Sequence, residues 1–339
     1  MKNIMKQIKI YKYKDKMLES LWNKFYKNNG MYPYSSREYN DIVYSCLRFR
    51  LSNYFKENIF ICYFNGDEIK LIAPIVINNN KLGVFGDHTQ AGHLDFLYSS
   101  EVSEEDFENF FLLIKERFNG KRLLLKRINE KSLLSKFLLK KTNNEVQVIL
   151  TRPCVDISFS SDYQEYFNSL SKGNRQNIRT AYNKLIKDSK GYRLECLYGT
   201  SINKSIIKQQ LRVYNKRALE QRAKRRGIIA KFKQLYFDSI TVACMRLDNA
   251  ISFNFYIDNK LAAFMIGFKT NFNSIVIPRL AIDSEFAKYM PGKLLINEAI
   301  KYLTEHSDIR NIDLSRGDEK YKYDMGGKTH YNYDFEIML

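Results

Sequence analysis

Residues 249–282 read NAISFNFYIDNKLAAFMIGFKTNFNSIVIPRLAI, and their pattern is the strongest indication of the fold. Its three runs of β-branched and aromatic residues are separated by the turns IDNK and KTNFNS, which predicts an antiparallel three-stranded meander. PGKLLINEAIKYLTEH follows at 291–306, with Pro291 at a position suited to the start of a helix. RNIDL at 310–314 then predicts one more strand.

The first half of the chain repeats this order. Residues 58–86 alternate apolar runs with Asn- and Gly-containing turns, which predicts a second meander. SEEDFENFFLLIKERFN at 103–119 predicts a helix, with Ser103 as its N-cap and acidic residues in its first turn. RLLLKRI at 122–128 predicts the strand that follows. Two copies of one α/β topology are expected, each with a mixed, mostly antiparallel sheet flanked by helices.

Length and composition set the outer limits. The chain has 339 residues and 45% hydrophobic content, enough for two cores. We place the boundary so that residues 1–155 form the first domain and 156–339 the second. The net charge of +18 favours anionic partners: a phosphorylated cofactor, a nucleic acid or an acidic membrane surface.

The absence of certain motifs from the sequence argues against several classes of protein. The five cysteines include no Cys-x-x-Cys pair, so we expect reduced thiols, a cytoplasmic location and no metal knuckle. No apolar run is long enough for a secretion signal or a membrane span. Hydrolase and nucleotide-binding fingerprints, such as Gly-x-Ser-x-Gly and the Walker A motif, do not occur.

Three motifs in order carry a family resemblance: KGNRQNIRTAYNKL at 172–185, YMPGKLLINEAI at 289–300 and DLSRGDEKYK at 313–322. Together they resemble the CelD/BcsL-type branch of the GNAT acyltransferase superfamily, which is related to the Fem peptidyltransferases. The likeness is clearest over residues 160–325. It implies two GNAT-like domains, of which the second binds an acyl-CoA such as acetyl-CoA and the first lies on the acceptor side without a cofactor.

Acyl transfer from a thioester needs an anion site and a polarised carbonyl. The start of the 291–306 helix supplies backbone N–H groups for a pyrophosphate. We assign cofactor binding to residues at that turn and on the strand before it: Lys288, Pro291, Gly292, Lys293, Leu280 and Ile282. The resemblance implies that this strand diverges from its neighbour, and Pro278 fits an interrupted strand. An ordinary Pro-Gly helix start and a bulge proline are the alternatives.

The third motif supplies candidates for proton transfer. Glu319 is the first choice for the general base and Asp318 the second, since burial or a neighbouring carboxylate would raise the pKa of either. His330 is a reserve candidate for the base. Tyr321 is the candidate acid for the departing thiolate, with Tyr323 as its competitor. Arg316 could instead pair with these carboxylates and make the cluster structural.

Further residues are assigned to the acceptor. Lys172, Arg175 and Arg179 form a basic stripe on one predicted helix, and Arg175 and Arg179 are assigned to substrate binding together with Asp95 and Arg316. A solvated face is the alternative for the stripe. The basic run at 217–227 is explained either as an anion-binding patch or, preferably, as a helix C-terminus closed by glycine. The pair His88 and His93 could suggest a metal, but its spacing is poor for zinc and no metal is expected.

The sequence therefore predicts an acyl-CoA-dependent N-acyltransferase that acts on an amino group of a sugar or cell-envelope precursor by direct transfer. One alternative is a Fem-like transferase that takes its acyl group from aminoacyl-tRNA, for which the net charge is attractive. Another is a catalytically silent module that binds nucleic acid or an anionic glycan. The expected partners are an amine acceptor, then tRNA, with peripheral membrane contact as a further alternative.

Overall fold

The computed structural model describes residues 5–13, 15–29, 32–47, 56–86, 91–142, 145–221 and 228–339. The chain divides into two compact units. Unit 1 comprises residues 1–153 and 331–339, and unit 2 comprises residues 154–330. His88 and residues 222–227 of the predicted basic run lie outside the described part of the chain.

The first group of elements runs in chain order up to the unit boundary. They are β1 (Lys6–Lys12), α1 (Lys16–Asn29), α2 (Arg37–Leu47), β2 (Glu57–Asn65), β3 (Glu68–Asn78), β4 (Lys81–Val84), β5 (Leu97–Tyr98), α3 (Glu104–Arg117), β6 (Arg122–Asn129), α4 (Leu133–Lys140) and β7 (Val146–Ser158).

The second group continues from the boundary to the end of the chain. They are α5 (Tyr163–Ser169), α6 (Lys172–Lys187), β8 (Tyr192–Tyr198), α7 (Lys204–Gln221), α8 (Ile228–Cys244), β9 (Ala250–Ile257), β10 (Lys260–Lys269), β11 (Ser274–Ile282), α9 (Pro291–His306), β12 (Asn311–Arg316), α10 (Lys320–Asp324) and β13 (Lys328–Met338).

The two units share one sheet pattern. In unit 1 the strand order is β1-β2-β3-β4-β6-β13, with β5 beside β3, and the crossover through α3 makes β4 and β6 parallel. In unit 2 the last residues of β7 are followed by β12-β11-β10-β9-β8, and the crossover through α9 makes β11 and β12 parallel. The other pairs with a described register are antiparallel. The predicted mixed α/β fold with a repeated topology is confirmed.

Local sequence signals explain several elements. Asp258 and Asn259 both have positive φ, 47° and 62°, as a two-residue hairpin turn between β9 and β10 requires. Ser103 caps α3 as predicted: its Oγ accepts from the N–H of Asp106, whose carboxylate accepts from the Ser103 N–H. On α9, Leu294 and Leu303 are fully buried in the unit 2 core.

The C-terminal strand differs from the predicted division. The sequence placed residues 156–339 in one domain, whereas residues 331–339 cluster with unit 1. The reason is the antiparallel pairing of β13 with β6, in which Tyr333 lies opposite Ile128 and Ile337 opposite Leu123. Such a pairing joins segments from opposite ends of the chain, and a local sequence pattern does not reveal it.

Candidate functional site

Strands β11 and β12 separate partway along their length. They pair in parallel at Ser274, Ile275 and Val276, and Val276 lies opposite Asp313. Beyond Val276, β11 continues to Ile282. Within the described residues, this part of β11 pairs with β10 and not with β12. Pro278, which has no N–H, lies two residues beyond Val276. The result is an opening between the two strands, with one edge of β11 turned towards it.

A bulge in the neighbouring strand accompanies the divergence. The β10–β11 register shifts between Ile266 and Phe268, at Gly267. A Cβ atom at Gly267 would lie 2.0 Å from the carbonyl oxygen of Val276, so no larger residue fits without moving a strand. Val276 is also the last residue of β11 that pairs with β12. Sequence reasoning singled out Pro278 and missed Gly267, although a glycine inside a strand pattern is a recognised signal of a bulge.

Helix α9 begins nine residues after the end of β11 in the sequence. Its N-cap, Met290, is left-handed with φ 49° and provides no side-chain cap. Pro291 has no N–H, and the N–H of Lys293 donates to the Met290 carbonyl. Among the first three residues of α9, all of them described, only Gly292 therefore has a backbone N–H that is neither missing nor bonded within the protein. A Cβ atom at Gly292 would lie 3.1 Å from Ile282, so glycine brings the helix start close to β11.

The two predicted phosphate-binding lysines both have carboxylate partners. Lys288 Nζ lies 2.7 Å from Asp188 Oδ2, and that hydrogen bond raises the pKa of Lys288 to about 12. Lys293 Nζ lies 2.8 Å from Asp324 Oδ2. Burial works to raise the pKa of Asp324, but hydrogen bonds from Lys293 and Lys320 hold it below its usual value. An anion at this helix start would meet lysines that are already paired.

The third sequence motif folds around a lysine that sequence reasoning missed. Lys322 is buried, and its ammonium contacts Glu319 Oε2 at 3.0 Å. It also donates to four main-chain carbonyls, those of Leu314 (3.1 Å), Ser315 (3.3 Å), Arg316 (2.9 Å) and Gly317 (3.0 Å). Ser315 and Gly317 have positive φ, 55° and 102°. Lys322 thus holds the tight turn that ends β12.

Glu319 does not have the surroundings that its predicted role requires. Its side chain is 57% exposed and faces the Lys322 ammonium, whereas a base of the predicted type needs burial or a second carboxylate. Asp318 and Arg316 are exposed. Tyr321 is half-buried, and burial followed by the charge of Glu319 raises its pKa, so it stays protonated as an acid must. The Tyr323 hydroxyl bonds Thr329 Oγ1 at 2.8 Å.

A buried carboxylate–imidazole pair is another candidate for the base. His330 Nε2 lies 3.3 Å from Asp313 Oδ2, and both side chains are almost fully buried. Asp313 Oδ1 accepts from the Ser315 N–H at 2.7 Å, which fixes the carboxylate. Because Asp313 is the last β12 residue paired with β11, this pair lies where the opening begins. His330 was a reserve candidate, and Asp313 had no assigned role.

The candidate acceptor residues are engaged within their own units. In unit 2, Arg175 donates to the carbonyls of Asn168 and Leu170, at 2.6 and 2.7 Å, and closes the end of α5. Arg179 lies over the Phe167 ring, 5.5 Å from its centroid. The roles of Arg175 and Arg179 in substrate binding stay predictions.

Asp95 lies in unit 1. It accepts from the Tyr98 hydroxyl at 2.9 Å and from the Phe96 N–H at 2.8 Å. Burial raises the pKa of Asp95 to about 7, against these hydrogen bonds, which lower it. Its role in substrate binding also stays a prediction.

Comparison with known proteins agrees with this architecture. Residues 172–323 match the family described as an acetyltransferase (GNAT) domain, and the match includes the α9 start, the opening and Lys322. No curated protein matches the chain. None of the helices in the described ranges is long and apolar enough to cross a membrane.

Solved structures extend the likeness to both units. The chain is similar to FemX, with a TM-score of 0.62 at 10% identity over 95% of this chain and 96% of that one. It is similar to the C-terminal domain of a putative lysylphosphatidylglycerol synthetase from Agrobacterium fabrum, with a TM-score of 0.53 at 12% identity over 89% and 92%. A tandem GNAT protein from the clavulanic acid biosynthesis pathway gives a TM-score of 0.50 at 10% identity over 98% of each chain.

These likenesses define a class: the chain has a double GNAT-like fold. Residues 172–323 match the GNAT domain family, and the tandem fold is similar to that of FemX, as the sequence resemblance predicted. The GNAT domain supports transferase activity, and the CelD/BcsL type stays a prediction.

Proposed function

We propose that the protein transfers an acyl group, most simply acetyl, from an acyl-CoA to an amine. The observation that carries this proposal is the separation of β11 from β12 beyond Val276, on the strand that precedes α9. An edge of main-chain N–H groups beside such an opening can polarise a thioester carbonyl, as an oxyanion hole does. The cytoplasm, where acyl-CoA is available, is the proposed location.

The proposed proton transfers use residues of unit 2. The acceptor enters as an ammonium and must lose a proton before it attacks the thioester carbonyl. His330 accepts this proton, and the Asp313 carboxylate stabilises the imidazolium that forms. The nitrogen–carbon bond then forms, the carbon–sulfur bond breaks, and Tyr321 protonates the departing thiolate. The nitrogen of the adduct gives up its remaining extra proton to the Tyr321 phenolate, which leaves a neutral amide and a neutral tyrosine. A tyrosine kept neutral by burial and by the charge of Glu319 suits that last step.

The donor contacts proposed for this site follow the sequence assignment. The Gly292 N–H receives a pyrophosphate oxygen, and Lys288 and Lys293 turn from their aspartates to the phosphates. Leu280 and Ile282 line the path of the pantetheine arm along β11. The acceptor is assigned to an amino sugar or related cell-envelope precursor on the strength of the family resemblance.

A second candidate donor is an aminoacyl-tRNA. It is favoured by the pairing of Lys288 with Asp188 and of Lys293 with Asp324, and by the single uncommitted N–H at the start of α9. A helix start whose lysines are already paired suits an aminoacyl ester donor, because that donor brings no pyrophosphate to the helix. The net charge of +18 suits tRNA as well.

Isothermal titration with acetyl-CoA, CoA and a charged tRNA separates the two donors. Acetyl-CoA binding in the micromolar range, with no response to tRNA, is the expected result. Binding of charged tRNA alone would contradict the acyl-CoA proposal and support the second candidate. The variant His330→Gln should bind acetyl-CoA normally and release thiol from it at least about a hundredfold more slowly in the presence of an accepted amine.

A further inference from the structure

Helix α8 exposes two large apolar side chains. Phe232 is 68% exposed and Leu235 is 62% exposed. They are three residues apart, so they are neighbours on one face of the helix. The sequence also has isoleucine at positions 228 and 229. With about 100° per residue, both positions lie within about 60° of position 232.

The opposite side of α8 attaches the helix to unit 2. Asp238 accepts from Asn215 Nδ2 of α7 at 3.0 Å and pairs with Arg279 of β11 at 3.4 Å. The carbonyl of Phe237 accepts from Arg279 as well. Positions 237 and 238 lie about 120–140° around the helix from position 232. Position 232 therefore lies away from the contacts that hold α8 in place, whereas position 235 lies about 60° from position 238, at the border of the apolar face.

The charge along α8 suits an anionic surface. Lys231 and Lys233 flank Phe232 in the sequence, at positions about 100° to either side of it. Residues 228–237 contain no Asp or Glu. An apolar face bordered by lysines is the pattern of a helix that lies in the interface of a membrane. Anionic lipid head groups attract such lysines, and the acyl boundary receives the apolar side chains.

A nucleic acid fits these observations less well. Lysines bind phosphates of either partner, and Phe232 could stack on a base. Leu235 offers no stacking surface, and contact with a polyanion would leave it in water. The apolar face thus favours the lipid.

We propose that α8 docks on an anionic membrane surface, with Phe232 and Leu235 inserted between the head groups. This binding does not depend on which acyl donor the protein uses.

Vesicle sedimentation tests the inference. The full chain is mixed with vesicles of phosphatidylcholine alone or with added phosphatidylglycerol. The double variant Phe232→Ser/Leu235→Ser is compared with Ile186→Ser, a matched control, because Ile186 is 72% exposed on α6. All three substituted side chains are exposed, so the fold should tolerate each change, which far-UV circular dichroism verifies.

We expect binding to the phosphatidylglycerol vesicles only, with a partition coefficient at least about tenfold lower for the double variant and unchanged for Ile186→Ser. Added salt should weaken the binding, since lysine attraction is screened. The inference is overturned if the wild-type chain stays in the supernatant, or if the double variant sediments like the control. It is equally overturned if the double variant loses tRNA binding while no vesicle binds, since the partner of this face would then be a nucleic acid.

Discussion

Replacing Lys322 by methionine removes the cation around which the end of β12 is folded. The ammonium has three protons and five oxygen neighbours, so it makes the equivalent of three charged hydrogen bonds. Such bonds contribute about 1.5–3 kcal/mol each. Methionine keeps the apolar stem, and water can reach the more exposed oxygens at Arg316 and Glu319. We therefore expect Lys322→Met to lower the free energy of unfolding of unit 2 by about 3–5 kcal/mol.

Lys320→Met is the matched control, since Lys320 lies on the same short helix, is 88% exposed and pairs with Asp324 at the surface. It should cost at most about 1 kcal/mol. The single tryptophan, Trp22, lies in unit 1, so urea unfolding is best followed by far-UV circular dichroism, with hydrogen exchange of residues 312–325 as the local measurement. If both variants unfold at the same urea concentration and exchange alike, Lys322 does not organise this turn.

Two further substitutions test other parts of the structure. Gly267→Ala should destabilise unit 2 by more than about 3 kcal/mol, because its Cβ would lie 2.0 Å from the Val276 carbonyl oxygen. The control Gly173→Ala, whose Cβ has open space around it, should be neutral or stabilising by up to about 1 kcal/mol. Equal thermal unfolding temperatures for the two variants would refute this. Since burial raises the pKa of Asp95 to about 7, unit 1 should lose stability as pH rises from about 4 to about 7, by up to ~4 kcal/mol, and Asp95→Asn should remove that slope and be the more stable protein at pH 8. Urea midpoints of both proteins across this pH range check the sign, and parallel curves would show that Asp95 is not the titrating group.

Local patterns were enough to predict much of the fold. The turn IDNK specified a hairpin because Asp258 and Asn259 tolerate positive φ. Ser103 signalled the start of α3 because a serine followed three residues later by an acidic residue satisfies its exposed N–H groups. The repeated order of meander, helix and strand then indicated two copies of one topology. These signals are short in range, and so they can be read from neighbouring residues.

The site depends on contacts that the sequence does not encode locally. The motif DLSRGDEKYK can be singled out from its charges, but which of these charges is buried follows from the way the turn closes on Lys322. The partner of His330 is Asp313, on another strand. The partner of Lys288 is Asp188, and four strands lie between these two residues in the sequence. Side chains that meet only after the sheet has formed leave no spacing to recognise.

We propose to measure hydrogen exchange with and without acetyl-CoA, to test whether the opening between β11 and β12 and the start of α9 hold the acyl donor. We expect slower exchange in residues 277–282 and 290–295 when acetyl-CoA is added, with a smaller effect from CoA, which has no acyl carbonyl. Unchanged exchange in both segments at saturating acetyl-CoA would contradict it.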